Sequence, residues 1–200
     1  TNNVADVSGN GNDGALILGA SGNTATTTAI GVLGQALSFD GVDDYVNAGN
    51  VDSLEPRAHD FSVSLWYKGL KGGTETFASG GRVFSSGNWY IQDTETAFFD
   101  DVHTVAKSYT LPTDNDWHHI VATLDRSTNP DTLIVYIDGV SQGPATGNLN
   151  NNDLNVTDTN IGVPNWSSGT GYRQGPIDDV RVYNRALSAD EIRQLYNLGR

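Results

Sequence analysis

Short apolar runs that alternate with polar residues, broken every few positions by Gly, Asn, Asp or Pro, restrict this chain to β structure over nearly its whole length. An amphipathic helix needs a 3.6-residue apolar period sustained over roughly ten residues, whereas a half-buried strand needs only period two over four to eight. Phe61-Ser62-Val63-Ser64-Leu65-Trp66-Tyr67 follows the second pattern, with Phe61, Val63, Leu65 and Tyr67 on one face and Ser62, Ser64 and Trp66 on the other. Trp66 interrupts a polar face, so its indole requires either a packing partner or a ligand. Further strands are predicted at Ala36–Phe39, Tyr45–Val46, Thr76–Ala78, Trp89–Gln92, Thr96–Phe99, Thr104–Tyr109, His118–Leu124, Leu133–Ile137, Thr159–Ile161 and Ile177–Tyr183. The β-branched runs His119–Leu124 and Leu133–Ile137 read as a central pair shielded on both faces, with a turn at Asp138-Gly139 beyond them. Ser21–Ala29 reads as an exposed loop or an edge strand. A helix is predicted only near the end, where Ser188 caps, Glu191 reciprocates three positions on, Leu187 is placed as a staple, and Ile192, Leu195 and Tyr196 form one apolar stripe.

Two hundred residues with no Pro-rich or charged linker imply a single domain over residues 1–200. Eleven Lys and Arg against 24 Asp and Glu give a formal charge of −13, which disfavours nucleic acid and anionic membranes as partners. The absence of Cys excludes disulfides, thiolate nucleophiles and Cys-ligated metals. No apolar stretch reaches the roughly 18 residues needed to span a bilayer, so membrane insertion is not expected. A chain beginning Thr-Asn-Asn and lacking Met reads as a mature protein or a module of something longer, and its Asn, Asp, Ser, Thr and Gly content with few lysines suits a secreted or extracellular setting.

Five segments in order resemble a known family. They are Asp6-Val7-Ser8-Gly9-Asn10-Gly11-Asn12-Asp13-Gly14, Leu37–Val46 with its Phe39-Asp40-Gly41-Val42-Asp43-Asp44-Tyr45 centre, the aromatic strand Phe61–Lys68, the hairpin carrying Trp117-His118-His119 and Tyr136-Ile137-Asp138-Gly139, and Ile177–Ser188. Together they are similar to the bacterial laminin-G-like jelly rolls of the concanavalin A-like lectin/glucanase superfamily, often attached to secreted glycanases or adhesins. The resemblance implies an all-β, two-sheet antiparallel jelly-roll sandwich with a short C-terminal helix, a frequent bound calcium, and glycan binding on a concave face or edge loop. Fold alone fixes neither ligand.

Calcium takes about 6–8 oxygens, and the Asp6–Gly14 loop is rich in them. The resemblance places that loop against Asp40 and Asp178, so structural Ca2+ is expected on Asp6, Asn12, Asp40 and Asp178, with Asn10 and Asp43 as substitutes. The alternative is that these are Asx-turn residues bonding their own backbone. For glycan binding, which needs aromatic surface with polar groups around it, Trp89 is the first candidate, with Arg82, Gln92, His103 and Lys107 beside it and Trp166, Tyr172 and Arg173 in a second, Gly/Ser-rich cluster. Each of these aromatics has an alternative place in the core, and each polar residue one in solvent. No catalytic residue is assigned. The family's E-x-D-x-E pattern is absent, and Asp93-Thr94-Glu95 is the sole compact acidic pair at strand spacing. His118 and His119, adjacent on a strand, point to opposite faces and cannot share a zinc. The expected function is that of a noncatalytic carbohydrate-binding module of a larger secreted bacterial protein. Its partners would be a polysaccharide or oligosaccharide and the other domains of the parent protein. Two alternatives stay open: a structural or adhesive protein-interaction module, and a glycanase or polysaccharide lyase with an atypical site.

Overall fold

The computed structural model describes residues 3–20, 28–69, 76–82, 85–100, 103–149, 158–164 and 171–200, with backbone alone at 78, 80–82 and 85–88. Its strands are β1 (Asn3–Val4), β2 (Gly14–Ile17), β3 (Thr28–Ile30), β4 (Gln35–Asp40), β5 (Tyr45–Asn47), β6 (Phe61–Lys68), β7 (Thr76–Arg82) and β8 (Ser85–Gln92). They continue with β9 (Glu95–Phe99), β10 (Thr104–Ser108), β11 (Trp117–Asp125), β12 (Asp131–Ile137), β13 (Val140–Gly147), β14 (Thr159–Ile161) and β15 (Gln174–Tyr183), before helix α1 (Ala189–Leu198). One sheet has the order β1-β2-β5-β14-β7-β8-β9-β10 and the other β13-β12-β11-β6-β15-β4-β3. Every strand pairing among the described residues is antiparallel. The result is the two-sheet sandwich that the resemblance implies, built from strands that the alternation predicts.

The inward row of β6, Phe61, Val63, Leu65 and Tyr67, is fully buried and meets Phe77, Trp89, Ile91 and Phe98 of the opposing sheet. Ile120, Ala122 and Leu124 of β11 and Leu133, Val135 and Ile137 of β12 extend that core. The second face of β6 is also dry. Ser62 and Ser64 are inaccessible because α1 and the segment leading to it cross this face. Ser62 Oγ donates to the Arg185 carbonyl at 2.8 Å and accepts from the Leu187 N–H at 3.0 Å, so its polarity serves the chain reversal rather than solvent.

The helix begins as its sequence dictates. Ser188 Oγ accepts from Glu191 N–H at 3.3 Å while Glu191 Oε2 accepts from Ser188 N–H at 2.9 Å, completing the capping box. Leu187 and Ile192 then join Val121 and Tyr136 in a second apolar cluster beneath the helix. At the β12–β13 turn Asp138 and Gly139 both have positive φ, 51° and 75°, the geometry that twists a two-residue hairpin correctly. Asp138 in addition accepts from His119 N–H at 2.9 Å and pairs with His118 Nδ1 at 2.8 Å.

Candidate functional site

Among the described residues, the expected glycan residues do not assemble into one surface. Trp89 is 0% exposed, with Phe61 edge-on at 5.5 Å and Phe98 stacked at 6.3 Å, so it belongs to the core and cannot be a surface platform. Alternation on β8 sends Trp89 and Ile91 inward, whereas Tyr90 faces out and donates to Glu95 Oε1 at 2.6 Å. Gln92 is buried, its amide donating to Thr76 Oγ1 at 3.2 Å. His103 folds onto Asp100, with Nδ1 3.2 Å from both carboxylate oxygens. Lys107 reaches the seam between the sheets, where a Cβ built on Gly143 of β13 would lie 3.7 Å from its Nζ. Arg173 is 0% exposed. Its guanidinium donates to the Lys68 and Gly69 carbonyls at 2.7 and 2.5 Å and covers the Phe77 ring at 5.1 Å, a structural clamp in place of the expected ligand contact. The Arg82 side chain and Trp166 lie outside the described residues.

Of the four expected calcium ligands, Asp6 and Asn12 bond each other within their loop, and Asp40 and Asp178 lie apart. Asp6 Oδ1 and Oδ2 accept from the Ser8 and Asn12 N–H groups at 2.8 and 2.9 Å, and Asn12 Oδ1 accepts from Ser53 Oγ at 2.9 Å. These bonds match the Asx-turn alternative for that loop. Asp178 accepts from the Leu33 N–H at 2.9 Å and its own neighbour Asp179 at 2.8 Å, which ties β15 to the β3–β4 turn. Because Gln174 pairs with Asp40, Asp178, four residues further along β15, stands about 13 Å away in strand rise.

Asp40 instead meets Asp43 and Asp44. Each of the three offers a carboxylate oxygen within 4.8 Å of the others, in the turn between β4 and β5. Asp43 Oδ2 accepts from Ala20 N–H at 3.0 Å and Asp44 Oδ1 from Gly19 N–H at 3.3 Å, so the segment before β3 seats this turn. Asp44 is 1% exposed and its Oδ2 has no hydrogen-bond partner. Burial, reinforced by the Asp40 and Asp43 charges, holds its carboxyl above the usual range. Tyr172 stands near: its hydroxyl is pushed up by burial first and then by Tyr45 and Asp43. The Asp-Gly-Val-Asp-Asp stretch was the signal for this cluster, although spacing alone does not show which three acids converge.

A second feature lies at the opposite end of the central hairpin. Arg126, Ser127, Thr128, Asn129, Asp131, Asn148 and Leu149 line a cleft of about 540 Å³, within the range of small-ligand sites. Its floor is the buried pair Arg126 and Asp131, with Nε 3.9 Å from Oδ1. Arg126 Nη2 donates to the Leu149 carbonyl at 3.2 Å, Asp131 Oδ2 accepts from the Leu149 N–H at 2.7 Å, and Arg126 N–H donates to Asp60 Oδ1 at 2.8 Å. Burial pulls the Arg126 guanidinium below its ordinary value against the opposing charges of Asp131, Asp100 and Asp60. The rim carries hydroxyls and amides from Ser127, Thr128, Asn129 and Asn148. In the sequence this stretch is marked only by its place between the predicted strands His119–Leu124 and Leu133–Ile137. The signal available there was the density of Ser, Thr, Asn and Asp around one arginine.

The geometry agrees with the sequence comparison, in which residues 40–193 match the Laminin_G_3 family. The chain belongs to the concanavalin A-like lectin/glucanase superfamily. This superfamily member resembles domain 4 of AbnA, an extracellular GH43 arabinanase from Geobacillus stearothermophilus solved with arabinotriose, with a TM-score of 0.62 and 23% identity over 86% of this chain and 80% of that one. It also resembles the binding domain of botulinum neurotoxin serotype G, with a TM-score of 0.69 and 18% identity over 96% of this chain and 48% of that one. A third likeness is the binding domain of botulinum neurotoxin DC in complex with SialylT, at a TM-score of 0.56 and 13% identity over 79% and 40%. The superfamily member therefore spans about half or less of these toxin domains, and identities this low establish the shared fold. No curated protein sequence matches it. None of its described helices is long and apolar enough to cross a membrane.

Proposed function

We propose that the chain is a noncatalytic carbohydrate-binding module of a larger extracellular protein and that it holds a polysaccharide segment in the Arg126–Asp131 cleft. The observation carrying this reading is the cleft itself: a concave site of about 540 Å³ with a fixed charged floor and a rim of hydroxyls and side-chain amides. Sugar hydroxyls both donate and accept, and such a rim offers both functions around a floor already held in place. Arg126 and Asp131 are engaged by the surrounding backbone, which suits positioning of a ligand rather than proton transfer. The arabinotriose-bound arabinanase domain and the SialylT-bound toxin domain, each of similar fold, support a glycan as the ligand class. The description of the arabinanase as extracellular and the acidic, Cys-free composition support the location.

The test is affinity electrophoresis and titration calorimetry against arabinan, xylan, β-glucan and sialylated oligosaccharides. Micromolar to millimolar dissociation constants are expected for at least one, with no product released. The double variant Thr128→Ala/Asn148→Ala, which leaves Arg126 and Asp131 in place, is expected to bind about tenfold more weakly with unchanged circular dichroism. Retention of no glycan by the parent chain, or equal affinity in the folded double variant, would overturn the reading.

A further inference from the structure

We propose that the Arg126–Asp131 cleft accepts uncharged, hydroxyl-rich polysaccharide and rejects sugars carrying carboxylate or sulfate, a selectivity that rests on the cleft being the glycan site. An ionised carboxylate only accepts hydrogen bonds, so it needs a cation or N–H groups to replace the water it sheds, whereas a sugar hydroxyl also donates. The cationic donor is already committed. Among the described residues lining the cleft Arg126 is the one cation. Its Nη1 donates to the Arg57 carbonyl and its Nη2 to the Leu149 carbonyl, with Nε facing Asp131. The charges of Asp131, Asp100 and Asp60 all bear on that guanidinium, so an anion entering here meets more negative than positive charge.

The backbone donors are taken as well. The N–H groups of Arg126, Ser127 and Leu149 donate to Asp60, Asp125 and Asp131 at 2.8, 2.9 and 2.7 Å, so a carboxylate of the protein itself occupies each. Ser127 Oγ gives its proton to Asp125 Oδ1 at 2.6 Å, and Thr128 Oγ1 donates to the Asp125 carbonyl at 3.3 Å. Both hydroxyl oxygens still accept, which suits a hydroxyl donor and offers nothing to an anion. The side-chain donors that remain at the rim are the neutral amides of Asn129 and Asn148. No cation comes from further along the chain, because Ser127 to Tyr172 contains no Lys, Arg or His. Arg57, whose carbonyl meets Arg126, has its own guanidinium on Glu55 and Asp52 at 2.5 and 2.6 Å.

The experiment titrates the full chain with arabinan, xylan and β-glucan, each as the native polymer and as hydroxyethyl and carboxymethyl derivatives of equal substitution, so that bulk is matched and charge differs. At about 10 mM salt, the hydroxyethyl form of whichever polymer is retained is expected to bind within about threefold of the native one, and the carboxymethyl form about tenfold more weakly than the hydroxyethyl form. At about 1 M salt the screening length falls from ~30 to ~3 Å, and the gap is expected to narrow without closing, because screening does not supply the missing donors. Asp125→Asn, which removes a charge bonded to the rim, is expected to narrow the low-salt gap about threefold. Asp190→Asn, which removes one from the exposed side of α1, is expected to leave the gap as it is. Carboxymethyl polymer held as tightly as hydroxyethyl polymer, or a gap that the two variants change equally, would overturn the selectivity while the cleft reading stands. Retention of no polymer in any form would remove the cleft reading and the selectivity with it.

Discussion

The indole of Trp66 and the phenol ring of Tyr196 lie nearly parallel, with centroids 5.7 Å apart and planes 17° from each other. His119 completes the stack, 4.9 Å from Trp66 and 6.2 Å from Tyr196. The requirement that Trp66 imposes on its sheet face is thus met by the C-terminal helix and not by a ligand. This closes the outer face of the seven-stranded sheet near α1.

The close approach behind that stack is testable at Gly199. A Cβ at this position would stand 2.4 Å from Trp66 Cζ2 and 2.5 Å from Val32 Cγ1. Gly199→Ala must therefore push the helix end off the sheet, with an expected cost of roughly 1–3 kcal/mol. For a domain of this size that corresponds to about 2–12 °C in melting temperature, readable by calorimetry. An unchanged melting temperature would show that the helix end is not packed as described.

Trp89 separates a core role from a binding role. Its side chain is enclosed by Phe61 and Phe98, so Trp89→Ala is expected to destabilise the fold by roughly 3–5 kcal/mol. Glycan affinity per folded molecule should stay the same. Chemical denaturation gives the first quantity, and calorimetric titration of the folded fraction gives the second. A folded variant of normal stability that has lost glycan affinity would return Trp89 to the surface.

Most strands were legible because period two survives wherever one face is dry, as in Phe61–Lys68 and Trp117–Asp125. β13 was not, since Val140-Ser-Gln-Gly-Pro-Ala-Thr-Gly147 carries the residues of a turn and is tolerated as a strand only at the sheet edge, with Pro144 opposite Ile134. β1 and β2 were hidden for a similar reason: they are short edge pieces flanking a loop dominated by Gly and Asn. The sites were less legible than the fold. Alternation states that Trp89 and Tyr90 oppose each other but not which faces the core, and the convergence of Asp40 with Asp43 and Asp44 depends on how the turn after β4 curls. Arg126 and Asp131 are separated by a loop whose polar residues look like ordinary turn chemistry until their backbone partners, Asp60 and Leu149, are in place.

Arg173 gives a prediction about charge geometry. One of its terminal nitrogens serves the carbonyls of Lys68 and Gly69 together while the guanidinium plane covers Phe77. Lysine carries the charge on a shorter chain and without the plane that covers Phe77, so Arg173→Lys loses that contact and weakens the bonds to the two carbonyls. A loss of roughly 2–4 kcal/mol is expected in urea denaturation. Full retention of stability in the lysine variant would mean that charge alone suffices there.

His119 sets an acid limit on the fold. It is 1% exposed, with Nε2 2.8 Å from Ser64 Oγ and no partner on Nδ1. Burial, aided by the Arg181 charge and opposed by that of Asp138, depresses its pKa to about 4. A histidine depressed on folding binds its proton more readily in the unfolded chain. Its neutral form therefore favours the folded state above pH ~6.5, and that contribution falls away as the pH drops from ~6.5 toward 4. At pH 5 the loss is about 2 kcal/mol. His118 runs the other way: although burial pulls it down, its bonds to Asp114 and Asp138 raise it overall, so it favours the folded state on the acidic side and loses that effect as pH rises. The two are separated by His119→Gln, which does not titrate. Between pH 7 and pH 5 the variant should lose about 2 kcal/mol less stability than the parent in urea denaturation. Parallel pH profiles for the two proteins would show that His119 is not the group that destabilises the sandwich in acid.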